Sequence, residues 1–269
     1  SNADLDEFLE SGFLVSWTDT TWMLAWGSTR IPTSEDHFSL YLSDFFATKD
    51  AFITFERHQE VSRSELLGLV RGKLDSYNTY ESPRKWQEPS IEEFESYFTR
   101  IQSEIAKGSL QKAVPIVFAE SKGNLSTIEK LLALKKLLNS SDEQWTYGYW
   151  KQGEGVLGKT PELLFSGEAH QYKTMALAGT SQLDYNLLED QKERFEHDLV
   201  VKDLLKVLPQ AKPRTTFEWK MPHLKHLRTD FNFEWEGSFA GLVRRMHPTP
   251  ALSMYPRQSS LGFLKDICP

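Results

Sequence analysis

The stretch DQKERFEHDLVV, residues 190–201, puts two glutamates and a histidine where a helix should carry its apolar stripe. At about 100° per residue, Val200, Leu204, Val207 and Leu208 share one face, with Lys192, Lys202, Asp203 and Lys206 opposite. Glu193 projects onto the middle of the apolar face, His197 beside it and Glu196 onto its edge. Two chemistries fit this pattern. Carboxylates on an inward face can coordinate a hard cation or meet a cationic group. Acidic side chains in a first turn that protrudes beyond the core are simply solvated, and they suit the positive end of the helix dipole. Periodicity is compatible with both.

The elements that would position these residues are helices and strands in mixed order. GFLVSW and TWMLAWG flank the polar TDT and read as a hairpin, and AFITFER reads as another strand. YESPRKWQEPS (80–90) is a Pro- and Ser-bearing connector and the best internal boundary. IEEFESYFTRIQSEIAKG has helical spacing and a stop at Gly108. KAVPIVFAES reads as a strand in which Pro115, lacking a donor, implies an edge or a bulge. Ser126 and Glu129 have capping-box spacing ahead of LLALKKLL. WTYGYW and VLGKTPELLF read as a hairpin around KQGEG, and QYKTMALAGT as a strand closing in a turn at Ala178-Gly179-Thr180. The helix from about Asp190 stops at Pro209, HLRTDFNFEWEG follows as a strand, and SFAGLVRRM as a short helix. Without strict alternation of strand and helix, the expected class is α+β, large antiparallel sheets carrying helices on one face.

Composition narrows the function classes. The net charge of −7 argues against a general nucleic-acid binder, while leaving room for a local basic pocket for a small anion. No apolar run is long enough to span a bilayer. The single cysteine, Cys268, excludes an internal disulfide and a Cys-rich metal site, and fits a reducing compartment. SNA (1–3) reads as an expression scar, and no basic leader or cleavage site follows it, so a soluble cytoplasmic protein is expected.

Four segments, in this order, resemble the chorismate-utilising enzyme family, isochorismate synthases in particular: GSLQKAVPIVFAES, LGKTPELLF, ALAGT with KERFEHDLVV, and HLRT with HPTPALSMYPR. Gly179 lies seventeen residues after Glu162, as that family's arrangement requires. The resemblance covers about residues 91–266, so residues 4–90 are expected to be a β-rich N-terminal part and 91–269 the chorismate-binding core. It implies an anthranilate synthase component I-like fold and chorismate as a small-molecule substrate. The oligomeric state stays open.

The resemblance also implies roles. Adding water at one ring carbon while hydroxide leaves another needs a base and an acid. Lys112 would be the base, with a pKa lowered by desolvation, and Glu162 the acid, with a raised one. Lysine rather than glutamine at 112 favours water over ammonia as nucleophile. Leu177, Gly179, Thr180, His226 and Thr249 would line the substrate pocket, with His247 in support, and Glu196 would be a Mg²⁺ ligand with Glu193 behind it. HPTPA fits isochorismate synthases better than salicylate synthases, the closest alternative, which add pyruvate elimination. Family members continue through further strands that supply a second Mg²⁺-binding glutamate and cationic groups for the substrate carboxylates. The chain as given is therefore expected to be truncated at its C-terminal end and incomplete for catalysis. A non-catalytic relative that acts as a binding protein is the alternative of another class. Menaquinone and siderophore or salicylate synthesis are the pathways such an enzyme would feed.

Overall fold

The computed structural model describes residues 2–18, 20–77, 84–140 and 144–267. Residues 80–83 of the expected connector, and Cys268, lie outside the described residues. The chain forms two compact units, Ser1–Lys85 with Ser121–Pro161, and Trp86–Glu120 with Glu162–Pro269. It leaves the first unit inside the 80–90 connector and returns to it for residues 121–161.

The first unit begins with α1 (Asn2–Glu10), β1 (Ser11–Ser16), β2 (Thr21–Arg30), β3 (Leu40–Ser43), β4 (Asp50–Ser62) and α2 (Arg63–Asp75). After α3 (Ile91–Ala106) and β5 (Lys112–Ala113), which belong to the second unit, it resumes with α4 (Thr127–Leu138), β6 (Trp145–Lys151) and β7 (Glu154–Thr160). Its six strands run β3-β4-β2-β1-β6-β7, all neighbours antiparallel. Alternation along β2 turns Trp22, Leu24 and Trp26 to one face, where Phe8, Leu66, Val70, Leu131 and Leu134 of the helices pack on them. α4 begins at the anticipated capping box: Ser126 accepts from the Glu129 amide, and the Glu129 carboxylate from the Ser126 amide.

The second unit continues with β8 (Ser166–Glu168), β9 (Gln171–Ser181), α5 (Gln191–Val207), β10 (Lys212–Pro213), β11 (Phe217–Lys220), β12 (Lys225–Glu234), α6 (Phe239–Met246), β13 (Met254–Tyr255) and α7 (Arg257–Ile267). Its main sheet is β10-β12-β9-β8, with β11 also on β12, again antiparallel. α5 covers the face that carries Ala176, Phe231 and Phe233, burying Val200, Leu204 and Leu208 there. Helix-backed antiparallel sheets are the expected α+β class.

Two local readings change. KAVPIVFAES is a strand only over Lys112–Ala113, where β5 pairs with β13. Beyond it the chain is anchored by the Val114 amide on the Ser253 carbonyl and by a bridge between Gln87 and Glu120. Pro115 removes one donor from the stretch between. The expected turn at Ala178-Gly179-Thr180 is instead a bulge within β9. Thr180 pairs with His226 and Ala178 with Leu227, so Gly179 is the extra residue. Gly179 has φ of 78°, and a Cβ there would lie 3.0 Å from the Glu193 carbonyl oxygen. Glycine answers both constraints at once.

Candidate active site

The Gly179 bulge resets the alternation of β9. Ala176 and Ala178 face α5, and Leu177 faces away with its partner Arg228. Unbroken alternation would turn Thr180 toward α5. The extra residue pairs it with His226 instead, and Thr180 Oγ1 and His226 Nδ1 share a 2.8 Å hydrogen bond. Leu177, Thr180 and His226 thereby lie on one side of the β9–β12 pair. Burial holds the His226 imidazole below its usual pKa, opposed by a hydrogen bond with the Gly179 backbone.

α5 meets this strand end through its first two turns. Asp190 caps the helix by accepting from the Glu193 amide at 2.8 Å. The Glu193 carboxylate then accepts from the Thr180 amide at 2.9 Å and from Lys192 Nζ at 2.6 Å. It ties helix to strand, which is a structural task. His197 is buried. Its Nδ1–H donates to the Ala178 carbonyl at 3.2 Å, and Nε2 lies 2.7 Å from Thr229 Oγ1, which reaches Thr216 Oγ1 at 2.7 Å. Burial lowers its pKa, against the opposing effect of the Ala178 carbonyl. Glu196 carries a lighter tie, a 3.3 Å ion pair to Lys192, and its side chain is about one-third exposed.

Asp203 does not fall on a solvated side. Glu196, Leu199 and Asp203 follow one another at helical spacing, Leu199 and Asp203 are buried, and Asp203 pairs with Arg257 of α7. The tail of the chain covers a helix flank that the wheel left open.

Lys112 and Glu162 converge near the start of α5. Lys112 is 7 % exposed, and its Nζ donates to the Pro250 carbonyl at 2.7 Å. Burial pushes its pKa below the ordinary lysine value, with the charges of Glu196 and then Glu162 pulling it back. Glu162 accepts a 3.1 Å hydrogen bond from Thr249 Oγ1. Burial raises its pKa, opposed by that hydrogen bond and by the Lys112 charge. The structure thus groups Lys112, Glu162, Glu196 and Thr249 by charge and hydrogen bonding, and Gly179, Thr180 and His226 by backbone register. Glu193 connects the second set to α5. The Pro250 carbonyl escaped the sequence reading because a backbone acceptor leaves no mark in residue type, although it lies inside HPTPA.

Magnesium fits this donor set poorly. Among the described residues no three His, Cys, Asp or Glu side chains converge as metal ligands. Glu196 offers one carboxylate, and that of Glu193 is already committed.

An antiparallel α+β scaffold that sets a buried lysine within reach of a half-buried glutamate is a frame for acid–base chemistry on a small molecule. The family described as chorismate binding enzyme matches residues 28–267, and the chain belongs to that family. The match reaches back well before residue 91, into the first unit. Isochorismate synthase MenF of Bacillus subtilis is 26 % identical over 153 residues, covering 51 % of this chain and 32 % of its own length. Isochorismate synthase EntC of Escherichia coli K12 is 27 % identical over 162 residues, covering 54 % and 41 %. The chain thus spans about a third to two fifths of these curated relatives. A Bacillus anthracis crystal structure described as a 2,3-dihydroxybenzoate-specific isochorismate synthase, DhbC, shares the fold with a TM-score of 0.73 at 18 % identity, over 100 % of this chain and 81 % of that one.

Proposed function

We propose that the site converts chorismate to isochorismate, with Lys112 as base and Glu162 as acid. The observation that carries this reading is a buried lysine and a half-buried glutamate, each within reach of the other's charge, and shifted in opposite directions. A lysine must be neutral to accept a proton, and a carboxyl must be protonated to give one. Burial favours both uncharged forms. In the reaction, water loses a proton to the Lys112 amine as its oxygen bonds to the ring. The departing hydroxyl takes the Glu162 proton and leaves as water. Atoms balance as an isomerisation, and the two side chains then exchange protons with solvent to reset.

The Pro250 carbonyl anchors one Lys112 N–H and leaves its lone pair for the water. Thr249 holds one Glu162 oxygen, fixing where the carboxyl points. Leu177, Thr180 and His226, brought to one side by the bulge, would bound the substrate, and the Gly179 backbone can approach it closely. If Mg²⁺ binds, Glu196 would supply one oxygen ligand and substrate and water the others, the ion offsetting the charge of a substrate carboxylate.

The test is incubation of the chain with chorismate over a series of Mg²⁺ concentrations, with products separated by chromatography. Isochorismate is the expected product, and Lys112→Ala and Glu162→Gln should each lower its rate about 10²- to 10⁴-fold. Salicylate as the end product would assign the pyruvate-eliminating variant of the chemistry. Absence of turnover at every Mg²⁺ concentration, from a chain shown to be folded, overturns the catalytic reading.

A further inference from the structure

Along β12, Lys225, Leu227, Thr229, Phe231 and Phe233 alternate as the buried row. This row meets α5 through Thr229, which bonds His197, and through Phe231, which packs with Val200 and Leu204. Lys225 opens it with an ammonium group on a side chain only 5 % exposed. A buried charge needs a partner, and β11 supplies one: Lys225 Nζ donates to Glu218 Oε2 at 2.9 Å. Glu218 stands opposite Leu227 in the β11–β12 register, which places it on the same face. The proposed chemistry uses neither residue.

The second oxygen of Glu218 reaches beyond the sheet. Oε1 accepts the Leu187 amide at 2.7 Å. Leu187 is fully buried and opens a single 3-10 turn, Leu187–Glu189, that packs against α5, β9, β11 and β12. The turn lies in the linker of residues 182–190, which carries the chain from the end of β9 to Asp190, the cap of α5. The Glu193 carboxylate ties the two ends of this linker together through the Thr180 amide, and Glu218 holds its middle to the sheet. Lys225, and then the Leu187 amide, keep the Glu218 carboxyl below its usual pKa against the opposing effect of burial. An ionised carboxylate is the stronger acceptor for that amide. All these groups belong to the second unit.

We propose that Glu218 and Lys225 are positioning residues of the candidate active site: the pair clamps the 182–190 linker to the sheet and so sets where the first turn of α5, with Glu193 and Glu196, meets Thr180. Glu196 is the carboxylate whose charge acts most strongly on the Lys112 amine, so a shift of this turn changes the base. That role rests on the catalytic reading of the site, whereas the clamp itself can be measured without turnover.

The experiment is amide hydrogen exchange, followed by NMR, on the full chain and three variants that circular dichroism shows to be folded. Glu218→Gln keeps an acceptor for Leu187 but leaves the Lys225 ammonium without its counter-charge. Glu218→Gln with Lys225→Met keeps the acceptor and removes the buried charge. Glu218→Leu with Lys225→Met removes both. Exchange at the Leu187 and Thr180 amides should rise about tenfold in Glu218→Gln and in the Leu–Met pair of substitutions. It should return to within about threefold of the parent protein in the Gln–Met pair. Val200 and Leu204, inside α5, should stay protected throughout. Because Thr180 is held by Glu193 and not by Glu218, its opening reports on the site. With chorismate, kcat should fall about tenfold in the Leu–Met pair and recover in the Gln–Met pair. Thr180 exchange that stays at the parent rate while Leu187 opens overturns the proposal. An equal rise at Val200 and Leu204 overturns it too, by making the ion pair a support of the whole unit. Turnover by the parent chain with the same kcat in every variant overturns the positioning role alone. A parent chain without turnover overturns the catalytic reading and that role with it, and the exchange pattern then decides the clamp.

Discussion

Thr249 donates its hydroxyl to Glu162 Oε1 across 3.1 Å, joining residues 87 positions apart in sequence. The bond favours the ionised carboxylate and so works against the burial that raises the Glu162 pKa. Removing it in Thr249→Ala lets the carboxyl keep its proton to higher pH. The alkaline limb of the pH–rate profile should therefore move upward, while kcat falls less than about tenfold because the acid remains in place. A limb that stays fixed, or moves downward, would separate Thr249 from the acid.

Glu162 also makes stability depend on pH. Its folded pKa is raised, so the folded state binds more protons than the unfolded one between the unfolded value of 4.5 and the raised folded value. Stability from this group is present at low pH and is lost as pH rises through that window. Glu162→Gln cannot ionise. Melting curves at pH 4 and pH 8 should show the variant gaining on the parent protein as pH rises; a gap that shrinks instead contradicts the burial argument.

Gly179→Ala should cost about 1–2 kcal/mol, the penalty of a left-handed backbone with a Cβ, together with a push against the Glu193 carbonyl. Urea denaturation measures it. Gly179→Asn, better suited to that conformation, should lose less. The strain lands on the bulge that pairs Thr180 with His226, so activity should fall along with stability.

Asp203→Ala would leave Arg257 facing a buried site from which its carboxylate has gone, at an expected cost of about 3 kcal/mol. Adding Arg257→Met should recover part of that loss, because an apolar pair needs no compensation. The double-mutant cycle checks the coupling, and simple additivity would show that the ion pair contributes nothing of its own.

Local signals named most elements in advance. The Ser126–Glu129 capping box, Asp190 ahead of a 3.6-residue stripe, and the period-two runs of β2, β9 and β12 all depend on near neighbours, and all formed where expected. The strand expected over KAVPIVFAES shrank to two residues because strand formation requires a partner backbone as well as propensity.

The ordered motifs led from the sequence to the family and named the residues worth watching. Only the tertiary structure decided what those residues touch. Glu193 and His197 looked alike on a helical wheel, yet one ties α5 to a strand amide and the other spans a carbonyl and a threonine. Asp203 falls opposite the apolar stripe on the wheel and is buried against Arg257, 54 positions away. Lys112 could have been any surface lysine until the fold buried it beneath the Pro250 carbonyl, which pushes its pKa below the ordinary lysine value. The reason is the range of the forces involved. Helix caps and side-chain periodicity are fixed within a few residues along the chain. Desolvation and charge pairing are fixed by whatever the fold brings alongside, and no local pattern encodes that company.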